Sequence, residues 1–404
     1  MSERALGGPF ITKTTVTAAI FVALLGCLLL LRFVCGLGLV SNLNNGYPWG
    51  IWLAYDVAAG TAIGCGGYAL ALVVYVLNRG QYHPLMRPAV LASMFSYGLG
   101  GFSVVVDISR WWNCWHIFWP AYFNYTSVML EVALCIGTYS NILILEFAPS
   151  VLERLAEWTR IRGGTPHECV MKLKRILNKV LFVFIALGMT LPTMHQSSLG
   201  TMLIPFGYSL NPLWQTPLLP ALFLLTALGT GYGVVMFEAT LVSDRFHRPS
   251  EAPILGTLSR YMMGVIAAFL VVRWADLLLR GHIVALFHSG ALALAFVAEN
   301  ALYIAALVLL GKPQRRMAPR YQFLAAVSIL AGSVLYRIDC YLIGYSRPGW
   351  HYFPSAPELL ITFGMIAVEV LGYTLAVKFL PILHDIHSSS PAAAEDERAV
   401  LAHS

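Results

Sequence analysis

Ten apolar runs, each long enough to cross a bilayer, constrain this chain more than any other feature. A hydrocarbon core about 30 Å thick needs about 20 apolar residues in helical form. Windows of that kind recur at 14–36, 50–78, 87–110, 124–149, 178–200, 213–242, 256–280, 287–311, 320–345 and 357–381. Lipid offers no partners to backbone amides, so each run must be a helix that satisfies its own hydrogen bonds. The composition agrees, with a mean hydropathy of +0.70 and 11% charged residues, against roughly 25% in soluble domains. The expected fold class is an all-α polytopic membrane protein of about ten transmembrane helices.

Charge placement tests the helix count independently. With the N-terminus placed inside, 20 of the 26 Lys and Arg fall on the inner side, notably in the clusters from Arg154 to Lys179 and from Lys312 to Arg320. Arg110, Arg280 and Arg347 fall outside, and Arg32, Arg273 and Arg337 lie within helices. A miscounted helix would scramble this bias, which sets orientation in a membrane. Both termini are expected in the cytoplasm of a bacterium, with the chain in its inner membrane. The net charge of +6 then reflects topology, and no nucleic-acid partner is expected.

The domain reading follows: an N-terminal segment 1–13, a membrane domain 14–383 and a small-residue tail 384–404 expected to be disordered. The first apolar run is long enough to span, so it reads as a helix and not as a cleaved signal. Inside the membrane domain, 150–177 reads as an inner loop with "ERLAEWTRIRGG" as a short interfacial helix. Nothing here has the size of a soluble catalytic domain.

Of eleven histidines, only His195, in "LPTMHQSSLG", lies at membrane depth. A two-haem membrane cytochrome uses four inward-facing axial ligands, usually histidines, so no haem is expected. The seven cysteines are scattered without a CxxC pair, which leaves an iron–sulfur cluster or a c-type haem without a ligand set. No metal ligand is assigned.

Ionisable groups at membrane depth usually mark functional sites or paired structural ones. Counting inward from the outer helix ends, Asp56, Glu131 and His195 lie roughly 8–10 Å deep and Asp107 about 5 Å deep. Four consecutive helices thus place a titratable group in one outer layer. Asp107 with Arg110, and Arg273 with Asp276, share helix faces at i, i+3 and are equally readable as structural pairs. Asp56 and Glu131 have no local cation. Gln196, Ser197 and Ser198 beside His195 suggest a polar pocket wall, although a core histidine bonded to a carbonyl is the plain alternative. The glycines of "GTAIGCGGYAL" read as close helix packing. Eight of the ten tryptophans crowd the outer side, more than an aromatic belt needs, which points to a docking surface or a pocket for a flat ring.

The stretches "NGYPWGIWLAYD", "NRGQYHPLMRPAVLAS", "LEFAPSVLERL", "LPTMHQSSLG", "NPLWQTPLLP" and "YFPSAPELLI" resemble the NrfD/PsrC polysulfide-reductase-like membrane subunits over nearly the whole chain. That resemblance implies two four-helix bundles plus flanking helices, free of haem and iron–sulfur clusters, holding a quinone near the outer face, with menaquinone expected ahead of ubiquinone. It implies, as partners, membrane lipid, a periplasmic ferredoxin-like iron–sulfur subunit and the large and small subunits of a nickel–iron hydrogenase. His195, Asp56, Asp107, Arg110 and Gln196 are then candidate quinone-binding residues, and Glu131 and Glu146 on the fourth helix candidate proton carriers. A proton-coupled secondary transporter is the alternative, since buried carboxylates serve transporters too.

Overall fold

The computed structural model describes residues 3, 4, 7, 9, 11–162, 165–246 and 248–384. Ten helices in it are long and apolar enough to cross a membrane. We number them α1 (Lys13–Cys35), α2 (Trp52–Val76), α3 (Met86–Asp107), α4 (Val128–Arg162), α5 (Thr165–Leu203), α6 (Leu219–Arg245), α7 (Ala252–Leu279), α8 (Ala291–Leu310), α9 (Pro319–Ile343) and α10 (Ala356–Phe379). The protein is a multi-pass, all-helical membrane protein, and the spans expected from hydropathy are the spans observed.

One difference lies between the fourth and fifth spans. The segment expected as a loop is the continuation of α4 to Arg162 and of α5 back to Thr165. "ERLAEWTRIR" extends α4 because it holds no Gly or Pro and supports itself locally: Arg154 bonds Glu157 at 2.9 Å, i, i+3, and the Thr159 hydroxyl bonds the Leu155 carbonyl. Glu153 ties this extension to its neighbours through Arg87 at 2.7 Å and Lys174 at 3.1 Å. The tail from 385 onward lies outside the described residues.

Packing sorts the helices into two groups. Helices α2 to α5 close on one another as a first four-helix bundle and α6 to α9 as a second, while α1 pairs with α10 along the flank of the first. Consecutive antiparallel helices joined by short connections pack as neighbours. The bundles meet where α6 lies against α2 and α5, and α9 against α2. Small residues permit this approach: a Cβ on Gly231 of α6 would come within 2.5 Å of the Cys65 carbonyl of α2, and one on Gly66 within 2.9 Å of Val234. Two-residue strands β1 (Glu3–Arg4) and β2 (Leu383–His384) pair antiparallel. Both described ends of the chain therefore lie on the same side, as ten crossings require.

The helix-borne charges are not paired as their spacing implies. Asp276 takes Arg280, at 2.8 Å, and leaves Arg273 to Glu299 of α8. Glu299 is fully buried and also accepts from Trp214 Nε1 and Asn300 Nδ2. Nor does Asp107 meet Arg110: α3 ends at Asp107, Ile108 is extended, and Arg110 is exposed beyond the helix. Buried Arg32 of α1 closes that helix end instead, donating to the carbonyls of Val106 and Ile108, both at 2.7 Å. A cation at a helix C-terminus satisfies orphan carbonyls and opposes the negative end of the dipole.

These pairings set the expected cost of breaking them. Thermal unfolding of micellar protein should show Glu299→Ala destabilised by about 3–5 kcal/mol, because Arg273 is left buried and uncompensated. The Arg273→Met/Glu299→Ala double variant should recover most of that loss. In the same assay Arg32→Leu should cost about 2–3 kcal/mol through its lost charged hydrogen bonds, whereas Arg110→Ala should stay within about 0.5 kcal/mol. Equal losses at Arg32 and Arg110 would restore the i, i+3 pairing.

Candidate functional site

The N-terminal ends of α2 and α4 and the C-terminal end of α3 enclose a cleft of about 250 Å³ beneath the short helix Trp111–Phe118. Its wall is apolar, from Leu53, Val57, Val104, Ile117 and Met129 among others, with Asp107 as its one charged group. Asp107 Oδ1 is buried and has no hydrogen-bond partner. Buried carboxylate oxygens are ordinarily satisfied, so an apolar cleft with one orphaned acceptor is a pocket short of a polar ligand. Above it, Trp112, Trp115, Phe118 and Trp119 are each at least half exposed. No charged residue occurs from Trp111 to Leu130.

The other acids of the outer layer face elsewhere. Asp56 is buried on a π-helical stretch of α2, Trp52–Ala59, and accepts from Thr362 of α10 at 3.0 Å. Its small cavity, about 40 Å³, is shared with Ser96 and Glu369, which bond each other at 2.7 Å. Asp56 therefore points to the flanking helix, and the structure does not bring it to His195. The π turn rotates its side chain relative to a regular helix, which depth counting cannot register. Glu131, half-buried, accepts from Ser198 of α5 at 2.7 Å. Glu146 sits farther along α4 against Gly188 of α5, whose lack of a side chain leaves it room.

His195 is fully buried in the first bundle. Its Nε2 lies 2.9 Å from Thr61 Oγ1, and the Tyr97 ring packs edge-on at 5.6 Å. Gln196, also fully buried, donates to the same Thr61 oxygen at 3.0 Å and accepts from Arg337 of α9 at 3.2 Å. His195 and Gln196 are thus joined, but through a threonine that was not among the expected site residues. Thr61 carries no signal in sequence, being one hydroxyl in a glycine-rich helix. Glu299 does carry one, as an acid within an apolar run, yet it too was not expected. Among the described residues no group of three His, Cys, Asp or Glu side chains gathers as a metal ion would need.

The family described as "Polysulphide reductase, NrfD" matches residues 39–346. The chain is 40% identical over 398 residues to a protein of Escherichia coli (strain K12) named "Probable Ni/Fe-hydrogenase 2 b-type cytochrome subunit", covering 96% of this chain and 98% of that relative. It is 26% identical over 371 residues to a "Menaquinone reductase, integral membrane subunit" of Nitratidesulfovibrio vulgaris, covering 86% of each.

The name of the E. coli protein denotes a haem and overturns the expectation that chains of this kind hold none. Counting deep histidines was an insufficient test, because haem iron also takes Cys, Met or Tyr ligands, and this chain has 7 Cys, 13 Met and 19 Tyr. The surroundings of His195 do not fit one, since its Nε2 is taken by Thr61 and its ring is enclosed. With one family matched over three quarters of its length and a relative aligned almost end to end, the chain belongs to the NrfD polysulphide reductase family.

Proposed function

We propose that this chain is the quinone-interacting membrane subunit of a hydrogenase complex, taking electrons from an iron–sulfur partner on the outer side and passing them, with protons, to quinone. The observation that carries this reading is the outer apolar cleft with the orphaned Asp107 oxygen. Support comes from relatives named as the b-type cytochrome subunit of a hydrogenase and as the integral membrane subunit of a menaquinone reductase. Menaquinone is the quinone we expect, the partners are the iron–sulfur subunit and the two hydrogenase subunits, and both termini face the cytoplasm. Family membership sets the transporter alternative aside.

Each quinone oxygen must gain a proton as the ring takes up two electrons, so the site needs a group able to bond both redox forms. Asp107 suits this: protonated, it donates to a quinone carbonyl, and ionised, it accepts from a quinol hydroxyl. The cleft walls from Leu53 to Met129 exclude water and hold the ring, and the exposed tryptophans above offer a face to a partner or to lipid. Glu131 and Glu146 mark the two ends of a proton route along α4, with Glu146 toward the inner side. Arg110, exposed, is placed to meet a partner and not the ring, and Asp56 is assigned no contact with the quinone.

In the intact complex, Asp107→Leu should slow quinone-linked hydrogen uptake by about tenfold or more, the worth of one charged hydrogen bond, while dye-linked hydrogenase activity is kept. Asp107→Asn, which can still donate, should lose less. An assembled Asp107→Leu complex with wild-type quinone-linked rates would sink the site. For Glu131→Gln in proteoliposomes we expect normal assembly with slowed quinone reduction or altered charge movement. Unchanged rate and charge movement would remove Glu131 from the mechanism.

A further inference from the structure

Arg337 lies in α9, in the second bundle, with no exposed surface, and among the described residues no carboxylate forms an ion pair with it. Its two Nη atoms donate to neutral groups instead, and its Nε is buried without a partner. Nη1 donates to Ser333 at 2.8 Å and Thr226 at 3.3 Å, and Nη2 to the Phe223 carbonyl at 3.3 Å and Gln196 Oε1 at 3.2 Å. The last of these crosses from the second bundle into the first.

That contact decides the orientation of everything beyond it. A guanidinium has donors only, so the Gln196 amide must turn its oxygen to Arg337 and its NH2 group to Thr61, which it reaches at 3.0 Å. Thr61 Oγ1 also lies 2.6 Å from the Val57 carbonyl oxygen. Two oxygens come that close only with a hydrogen between them, and the hydroxyl has just one, so it is committed to Val57. Both remaining lone pairs of Thr61 must accept, one from Gln196 and the other from His195 at 2.9 Å. The imidazole therefore carries its hydrogen on Nε2. Its Nδ1 is buried and has no partner.

We propose that Arg337 is a positioning residue for His195 in the opposite bundle: through Gln196 and Thr61 it holds the imidazole with the hydrogen on Nε2 and leaves the buried Nδ1 an unpartnered acceptor. A neutral side chain at 337 would let the Gln196 amide turn over. Its oxygen would then compete with Val57 for the Thr61 hydrogen, and His195 would be released to either tautomer. The functional consequence rests on the quinone reading: His195 is fully buried and does not line the Asp107 cleft, so it serves that site as a proton acceptor through Nδ1 and not as a donor to the quinone carbonyl. The tautomer itself does not depend on that reading.

The test is solid-state nitrogen NMR of the intact complex in lipid with isotope-labelled histidine, His195 being assigned by its loss in His195→Gln. Wild type and Arg337→Lys, which keeps a donor toward Gln196, should show His195 with hydrogen on Nε2 alone. Arg337→Gln should show a mixture of tautomers. Thr61→Val, which keeps the side-chain shape and removes the hydroxyl, should show the same mixture even if Arg337→Gln does not assemble. Hydrogen on Nδ1 in the wild type would overturn the proposal, as would an unchanged tautomer in either assembled variant. Quinone-linked uptake on the same samples separates the two ideas: we expect a drop of about tenfold in Arg337→Gln and recovery in Arg337→Lys. A tautomer shift without any change in rate would leave the relay standing and overturn its use by the quinone site.

Discussion

Every backbone polar group in the membrane-spanning segments must find its partner within the protein, because the bilayer supplies none. That constraint produces the ten helices and then decides how they fit together. Once the backbone is satisfied internally, the remaining polar atoms are side chains, and their pairing selects one arrangement among the many that apolar surfaces alone would tolerate. The two bundles are accordingly joined at their contact by polar groups as well as by glycines. Arg337 reaches across to Gln196, and Tyr341 donates to the Leu199 carbonyl at 2.8 Å. Trp49 of the connection between α1 and α2 likewise donates to the Tyr341 carbonyl at 2.8 Å.

The polar groups so arranged fall into distinct sets with different surroundings. Asp107 borders an open apolar cleft and lacks a partner on one oxygen, which is the condition for binding a ligand. Arg273, Glu299, Trp214 and Asn300 form a buried polar network in the second bundle, anchored on the Arg273–Glu299 ion pair. His195 stands between these cases, closed at Nε2 and open at Nδ1. The outer surface follows the same logic. Tyr352, in the connection before α10, donates to Glu358 at 2.7 Å and accepts from the Ile51 amide. Burial and the adjacent Glu358 carboxylate push its hydroxyl well above the usual range, so it stays a donor. This anchors the start of α2 to that of α10.

Much of the fold was legible in the sequence because hydropathy is a one-dimensional signal. A span must be about 20 residues long whatever it packs against, and the positive-inside bias checks the count without any knowledge of contacts. The glycines of "GTAIGCGGYAL" were legible for a related reason, since a small residue at helical spacing has few uses other than close approach. The inner extensions of α4 and α5 were missed because hydropathy marks where a helix leaves the membrane and not where it ends. The expectation of no haem does not follow from the histidines, because a census of one residue type cannot exclude a group that other residue types also ligate.

What the sequence determined by itself is the number of helices, the side on which basic residues gather, the family, and the identity of the ionisable groups at membrane depth. Tertiary structure alone decided which of those groups meet. Depth along a helix follows from residue number, but direction around it depends on where the helix stops and whether it holds a π turn. So Asp56 turns to α10, and Arg110 leaves the helix that Asp107 ends. Partners on other helices are separated from one another by 134 and 141 residues of chain, as Thr61 is from His195 and Gln196 from Arg337. No local spacing carries that information, because hydrogen bonds between helices are set by which faces pack together.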